Sequence, residues 1–249
     1  EHVRLACQLR PTKDLEVIPL LPPNATPKDA HSKPAHLQGA EREVAILFAD
    51  IRKFTQFSEN KLPYDVVFVL NRYFRAMGEA VNATGGELDK FIGDGVMALF
   101  GTNTTPEEGC RRALEAARLM SIALDDLNHS LRADLDEPLR IGIGIHLGTV
   151  IVGEMGFSNA VSFTAIGDAV NTASRLEQAT KEYICQLIVS EDICERAGVD
   201  LSNFPAHEIP IRGRNQAVKI RCIEKASDMA EVKLQLGRRS RRDRSTAAH

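Results

Sequence analysis

Gly85–Phe100 reads G-G-E-L-D-K-F-I-G-D-G-V-M-A-L-F, and this stretch decides the fold. Leu88–Ile92 and Val96–Phe100 are apolar runs of strand length, joined by Gly93-Asp94-Gly95, which predicts a tight hairpin. Gly85-Gly86 supplies the positive φ at which a helix ends. Upstream, Val66, Val67, Leu70, Phe74, Met77 and Val81 recur at helical spacing, which predicts a helix from about Tyr64 with these residues on one face. Before it, Val44–Ala49 has the length and composition of a strand. Downstream, Thr105-Pro106 opens a second helix, with proline in its first turn and Ala113, Ala116, Ala117, Met120 and Leu124 as its apolar stripe. Arg140–Leu147 alternates apolar residues with glycine and predicts a strand, which Gly148-Thr149 turns into another, Val150–Met155.

The order so far is β-α-β-β-α-β, a ferredoxin-like unit. A helix over Asp168–Thr180, a strand at Leu187–Ser190, a short helix around Ile193 and a strand pair, Glu208–Ile211 with Val218–Ile223, extend it at the C-terminal side. The expected fold class is an α/β (α+β) sandwich with a ferredoxin-like βαββαβ core and a C-terminal extension.

At 249 residues and 43% hydrophobic composition, the chain can bury one large core. A net charge of -3 argues against a general nucleic-acid binder. Cys7, Cys110, Cys185, Cys194 and Cys222 are odd in number and form no C-x-x-C pair, which favours a reducing, cytoplasmic setting over a disulfide framework. No apolar run approaches the roughly 20 residues of a membrane span, and no signal peptide opens the chain, so a soluble protein is expected. Pro22, Pro23, Pro27 and Pro34 mark residues 21–40 as a linker after a short N-terminal piece, 1–20. The body is 41–225, and 226–249, with Arg238, Arg239, Arg241, Arg242 and Arg244, is expected to be a basic, disordered tail.

Two carboxylates stand out. Asp50 ends the first strand in F-A-D-I-R-K-F-T, and Asp94 sits in the G-D-G hairpin. The expected topology makes the strands that carry them neighbours, so the two acids meet at one end of the sheet. Paired carboxylates there suit Mg²⁺, and two ions about 3.5–4 Å apart clamp both oxygens of a phosphoryl transfer. Asp-Gly is also a common hairpin turn, and Asp50 has an alternative use as a helix cap. Ile51–Thr55, which includes Phe54 and Thr55, feeds a helix start whose unpaired amides suit a triphosphate, while Arg52 and Lys53 on such a loop read as solvated charges. G-I-G-I-H-L-G at 142–148 is no dinucleotide fingerprint, because its spacing is one residue too long and it leads into a strand. His146 on that strand reads as a core or surface histidine.

Taken together, E-V-A-I-L-F-A-D-I-R-K-F-T, G-G-E-L-D-K-F-I-G-D-G-V-M-A-L-F and F-T-A-I-G-D-A-V-N-T-A-S-R-L-E resemble the class III adenylate and guanylate cyclases, in the family's order, from about Glu41 to Ile223. The resemblance implies that Asp50 and Asp94, with the Ile51 carbonyl, hold two Mg²⁺ or Mn²⁺ ions. It implies that Lys90 and Thr164 read the adenine ring, Thr164 standing where many members carry aspartate. Asn171 then orients the ribose, Arg175 stabilises charge on the transferring phosphate, and Arg214 meets the distal phosphates. Lys90 in place of the glutamate of guanylate cyclases points to ATP as substrate and cyclic AMP as product. Because the family divides each site between two subunits, a homodimer is implied.

Residues 1–20, with R-L-A-C-Q-L-R-P, resemble the last cysteine segment of a plant-type ferredoxin domain. A [2Fe–2S] cluster needs further cysteines in C-x₄-C-x₂-C spacing, so Cys7 implies a cluster only in a longer, ferredoxin-linked and membrane-anchored bacterial parent, with the catalytic domain at the cytoplasmic face of its inner membrane. The rival readings are a silent nucleotide-binding regulator on the same fold and a guanylate cyclase.

Overall fold

The computed structural model describes residues 39–59, 61–157, 160–211 and 217–234. Cys7, the ferredoxin-like segment 1–20, nearly all of the linker 21–40, Arg214 and the arginines of the tail lie outside the described residues.

The elements run β1 (Gly39–Ile51), α1 (Phe54–Glu59), α2 (Pro63–Ala83), β2 (Glu87–Ile92), β3 (Gly95–Phe100), α3 (Pro106–Ser130), β4 (Ile141–Phe157), β5 (Ala160–Ile166), α4 (Asp168–Ala179), β6 (Leu187–Ser190), α5 (Glu191–Ala197), β7 (Ala206–Ile209) and β8 (Val218–Ile223). They build a sheet of 8 strands in the order β2-β3-β1-β4-β6-β8-β7, with β5 paired to β4 off this path. The first four positions are the ferredoxin-like order, as the alternation of elements predicts. β6 runs parallel to β4, and the C-terminal extension adds β6, β8 and β7 beyond it to the far edge.

Side-chain alternation divides the sheet into two faces. Ala45, Leu47, Ala49 and Ile51 of β1, with Ile141, Ile143, Ile145 and Leu147 of β4, pack under α2 and α3. Val44 and Ile46 of β1, with Val150 and Val152 of β4, pack with Ala169 and Ala173 of α4 on the other face. Asp50 belongs to this second set by parity. The α3 stripe is buried as expected, and the Thr105 side chain caps the helix by accepting from the Glu108 amide at 3.3 Å.

Four expectations need correction. Gly148-Thr149 is not a turn: β4 runs unbroken through it, and the alternation keeps its phase from Ile141 to Val152. Gly148 is there for closeness, since a Cβ on it would come within 2.5 Å of the Ala169 Cβ. β5 was not anticipated at all. The α2 face is centred on Val69, Tyr73, Met77 and Ala80, whereas Val67 is 55% exposed, because the sheet meets the neighbouring stripe of the helix. Finally, the core continues past residue 225: Ala226, Met229 and Val232 are buried, and the Val232 amide donates to Glu115 Oε2 at 3.0 Å. No helix among the described residues is long and apolar enough to cross a membrane.

Candidate active site

β1 and β3 pair with Ala49 opposite Val96, which sets Asp50 beside Gly95 and the hairpin that carries Asp94. A Cβ on Gly95 would lie 3.5 Å from Asp50 Oδ1, so the missing side chain leaves space for the carboxylate. The Asp94 and Asp50 carboxyls share a hydrogen bond, and Asp94 also accepts from the Ile51 amide. The turn's positive φ falls on Gly93, at 63°, and not on Asp94. Asp94 is therefore not there for the conformational freedom that Asp-Gly turns exploit. Burial first, and the neighbouring Asp50 second, push Asp94 up to about 6. Two acids held this close favour a proton or a cation between them, and the hard oxygen donor set suits Mg²⁺ or Mn²⁺.

That arrangement has a thermodynamic signature. An acid whose folded pKa is raised penalises the fold once pH passes the unfolded value, here 3.8, and the penalty is complete above about 6. In metal-free solution Asp94→Asn is expected to leave the melting temperature unchanged at pH 3.5. At pH 7.5 it should raise it by about 2–4 °C, a ~1 kcal/mol effect after screening of a partly exposed group. Added Mn²⁺ should stabilise the wild-type chain and not the variant. Thermal melts across pH, with and without the ion, check both outcomes.

The segment after Asp50 is held more firmly than a solvated loop. The Arg52 amide donates to the Arg140 carbonyl at 2.7 Å. Its side chain is 15% exposed, and the guanidinium donates to the Thr180 hydroxyl and the Cys185 carbonyl and lies 3.9 Å from Glu177 Oε1. Glu177 is pushed up to about 7, by burial and then by the charge of Asp50. Arg52 and Glu177 thus join the carboxylate end of β1 to α4, a role that the sequence reading missed for both. Lys53 turns the chain with φ 56°, a conformation uncommon outside glycine, and α1 begins at Phe54. The Phe54 and Thr55 amides stand in the first helical turn, where no intrahelical acceptor exists.

Lys90 and Thr164 come from strands 74 positions apart, and Lys90 Nζ donates to Thr164 Oγ1 at 2.8 Å. Thr164 reaches this point because β5 folds back on β4, with Gly153 opposite Thr164. A third residue joins them: Thr164 donates to Asp89 Oδ2 at 2.7 Å, and that oxygen lies 3.3 Å from Lys90 Nζ. Asp89 was not foreseen, because adjacent strand residues ordinarily point to opposite faces.

Asn171 and Arg175 lie on α4, Asn171 exposed and Arg175 half-buried. At about 100° per residue, Arg175 stands roughly 160° around the helix from Glu177, the residue that meets Arg52. Within one chain, Arg175 therefore faces away from the Asp50 end. His146 is buried, with Nδ1 2.9 Å from Ser190 Oγ, in keeping with a core role. A cleft of about 500 Å³ lined by Glu43, Glu107, Leu147, Asp192, Glu195 and Arg196 contains none of the site residues.

Comparison with known proteins identifies the family. Residues 38–224 match the adenylate and guanylate cyclase catalytic domain. An adenylate cyclase of Anabaena cylindrica is 38% identical over 186 residues, which is 72% of this chain and 36% of that protein. The chain spans 27% of adenylate cyclase 1 of Rhizobium meliloti, so the curated relatives it matches are much longer. Among solved structures, a guanylyl cyclase is similar at TM-score 0.69 and 31% identity, covering 79% of this chain and 99% of that one. The adenylyl cyclase CyaB from P. aeruginosa is similar at TM-score 0.67 and 27% identity, covering 78% and 100%. With its sheet order, its three sequence motifs and a match over most of its length, the chain belongs to the family of adenylate and guanylate cyclase catalytic domains.

Proposed function

We propose that this domain converts ATP into 3′,5′-cyclic AMP and pyrophosphate, at sites shared between two copies of the chain in the cytoplasm. The observation that carries the substrate choice is the hydrogen bond from Lys90 Nζ to Thr164 Oγ1 at 2.8 Å. It sets a donor and an acceptor side by side. Adenine offers an acceptor at N1 and an amino donor at C6, and guanine reverses that edge. The name of the Anabaena relative points the same way.

The ribose 3′-hydroxyl attacks the α-phosphorus of its own nucleotide and loses its proton, and the bond to the bridging oxygen of the departing pyrophosphate breaks. Mg²⁺ or Mn²⁺ held by Asp50, Asp94 and the Ile51 carbonyl would neutralise the phosphates and acidify the hydroxyl. The Phe54 and Thr55 amides meet phosphate oxygens at the helix start. Arg175 presents its guanidinium to the charge that grows on the transferring group, and Asn171, one turn earlier, orients the ribose. Arg214 is assigned to the distal phosphates by family likeness alone.

Two features favour a shared site. Arg175 stands about 160° around α4 from Glu177, the residue at the Asp50 end, which fits its supply by a second chain. Ile151 and Ile166, paired across β4 and β5, are 51% and 60% exposed, an apolar pair that a second copy would cover.

The test is cyclic nucleotide formation from ATP and GTP, with Mg²⁺ or Mn²⁺, over a range of protein concentrations. Cyclic AMP is expected, at a specific activity that rises with concentration. Cyclic GMP as the main product would favour the guanylate reading, to which the likeness to a solved guanylyl cyclase gives weight. Nucleotide binding without either product would leave a silent regulatory domain.

A further inference from the structure

We propose that Asp89 is a positioning residue that sets nucleobase specificity: its buried carboxylate takes the only proton of the Thr164 hydroxyl, which leaves Thr164 an acceptor alone toward the base. The inference rests on the reading of Lys90 and Thr164 as the base-reading pair.

The backbone builds this arrangement deliberately. Along the β2–β3 pairing, Leu88 faces Ala98 and Lys90 faces Met97, so Asp89 is the extra residue of a β-bulge. A bulge re-aims a side chain that strict alternation would send to the opposite face. Here it brings two consecutive side chains, Asp89 and Lys90, to the same hydroxyl. The Asp89 side chain is 0% exposed, whereas that of Lys90 is 40% exposed and keeps its access to a ligand. Asp89 Oδ1 is buried with no hydrogen-bond partner among the described residues. A buried carboxylate with one oxygen unsatisfied costs stability, which a role in packing does not account for.

The inventory of protons then fixes the readout. A carboxylate only accepts, so the 2.7 Å contact with Asp89 consumes the Thr164 proton. Lys90 donates into one Thr164 lone pair at 2.8 Å, and the other lone pair stays available. Of three ammonium protons, one goes to Thr164 and one points to Asp89, which leaves one for the base. The pair therefore shows one acceptor and one donor in a fixed order. Without Asp89 the hydroxyl rotor is free, and Thr164 can donate to a guanine carbonyl as readily as it accepts from an adenine amino group.

The experiment measures kcat/KM for ATP and GTP, and in parallel the affinities for 3′-deoxy-ATP and 3′-deoxy-GTP by calorimetry with Mn²⁺, which need no turnover. Asp89→Ala is expected to lower the ATP-to-GTP ratio by at least about tenfold, the scale of one misdirected hydrogen bond. Asp89→Asn, which keeps an acceptor oxygen, should retain most of the ratio. Asp89→Leu replaces the alanine variant if that one loses its circular dichroism. In a Thr164→Val background, Asp89→Ala should change the ratio no further. A parallel loss for both nucleotides, or the same drop in the Thr164→Val background, overturns the proposal. A wild-type chain that prefers ATP in binding but forms no product would defeat the cyclase reading and leave this one standing. Equal wild-type affinities would defeat this one alone.

Discussion

Chains carrying Asp50→Ala and chains carrying Arg175→Ala, each nearly inactive alone, should regain cyclase activity when mixed. Each substitution alone should cost at least about a hundredfold, since one removes a metal carboxylate and the other a cation aimed at transition-state charge. Random pairing makes half of the dimers mixed, and each mixed dimer carries one site with both defects and one with neither. Recovery should therefore approach about a quarter of wild-type activity per chain. The expectation comes from the opposed orientations of Arg175 and Glu177 on α4, with Glu177 turned to Arg52 at the Asp50 end of β1. Affinity tags of two kinds show whether mixed dimers form. If they form and activity does not return, each chain builds a whole site and the shared arrangement is wrong.

Much of this site was legible in the sequence, and the parts that were not share a cause. Asp50 and Asp94 could be brought together because Asp50 lies at the end of β1 and Asp94 in the hairpin that opens β3, and the alternation of elements makes β1 and β3 neighbours. Asn171 and Arg175 could be placed on one helix by spacing alone. Arg52 looked like a solvated loop charge because its partners, Glu177, Thr180 and Cys185, are distant in sequence. Asp89 was invisible because a bulge leaves no mark in E-L-D-K-F-I: alternation assigns Asp89 and Lys90 to opposite faces until the register with β3 is known. β5, which brings Thr164 to them, was lost when Gly148 was read as a turn. A glycine in a strand signals a bend and a close approach equally well, and only the helix packed above it tells which.

That helix supplies the second large effect. Gly144→Ala is expected to destabilise the domain by about 3 kcal/mol or more and to abolish activity at ordinary temperatures. A Cβ on Gly144 would sit 2.2 Å from the Glu177 amide nitrogen and 2.5 Å from the Ala173 carbonyl oxygen, both backbone atoms of α4 that no rotamer change can move. Relief requires lifting the helix from β4, which displaces Asn171 and Arg175 and separates Glu177 from Arg52. The contrast is Gly142→Ala. Its Cβ would meet the Thr180 hydroxyl and the Arg52 guanidinium, which are side-chain atoms able to shift, so a milder loss is expected. Denaturant unfolding of both variants, with the turnover of each at a temperature where it remains folded, separates packing from chemistry. A Gly144→Ala chain as stable as wild type would mean that α4 does not rest on this strand as closely as described. A stable but inactive one would mean that a small lift of the helix is enough to misplace Arg175. The glycines of G-I-G-I-H-L-G are thus explained by the helix they admit, with no nucleotide needed to account for them.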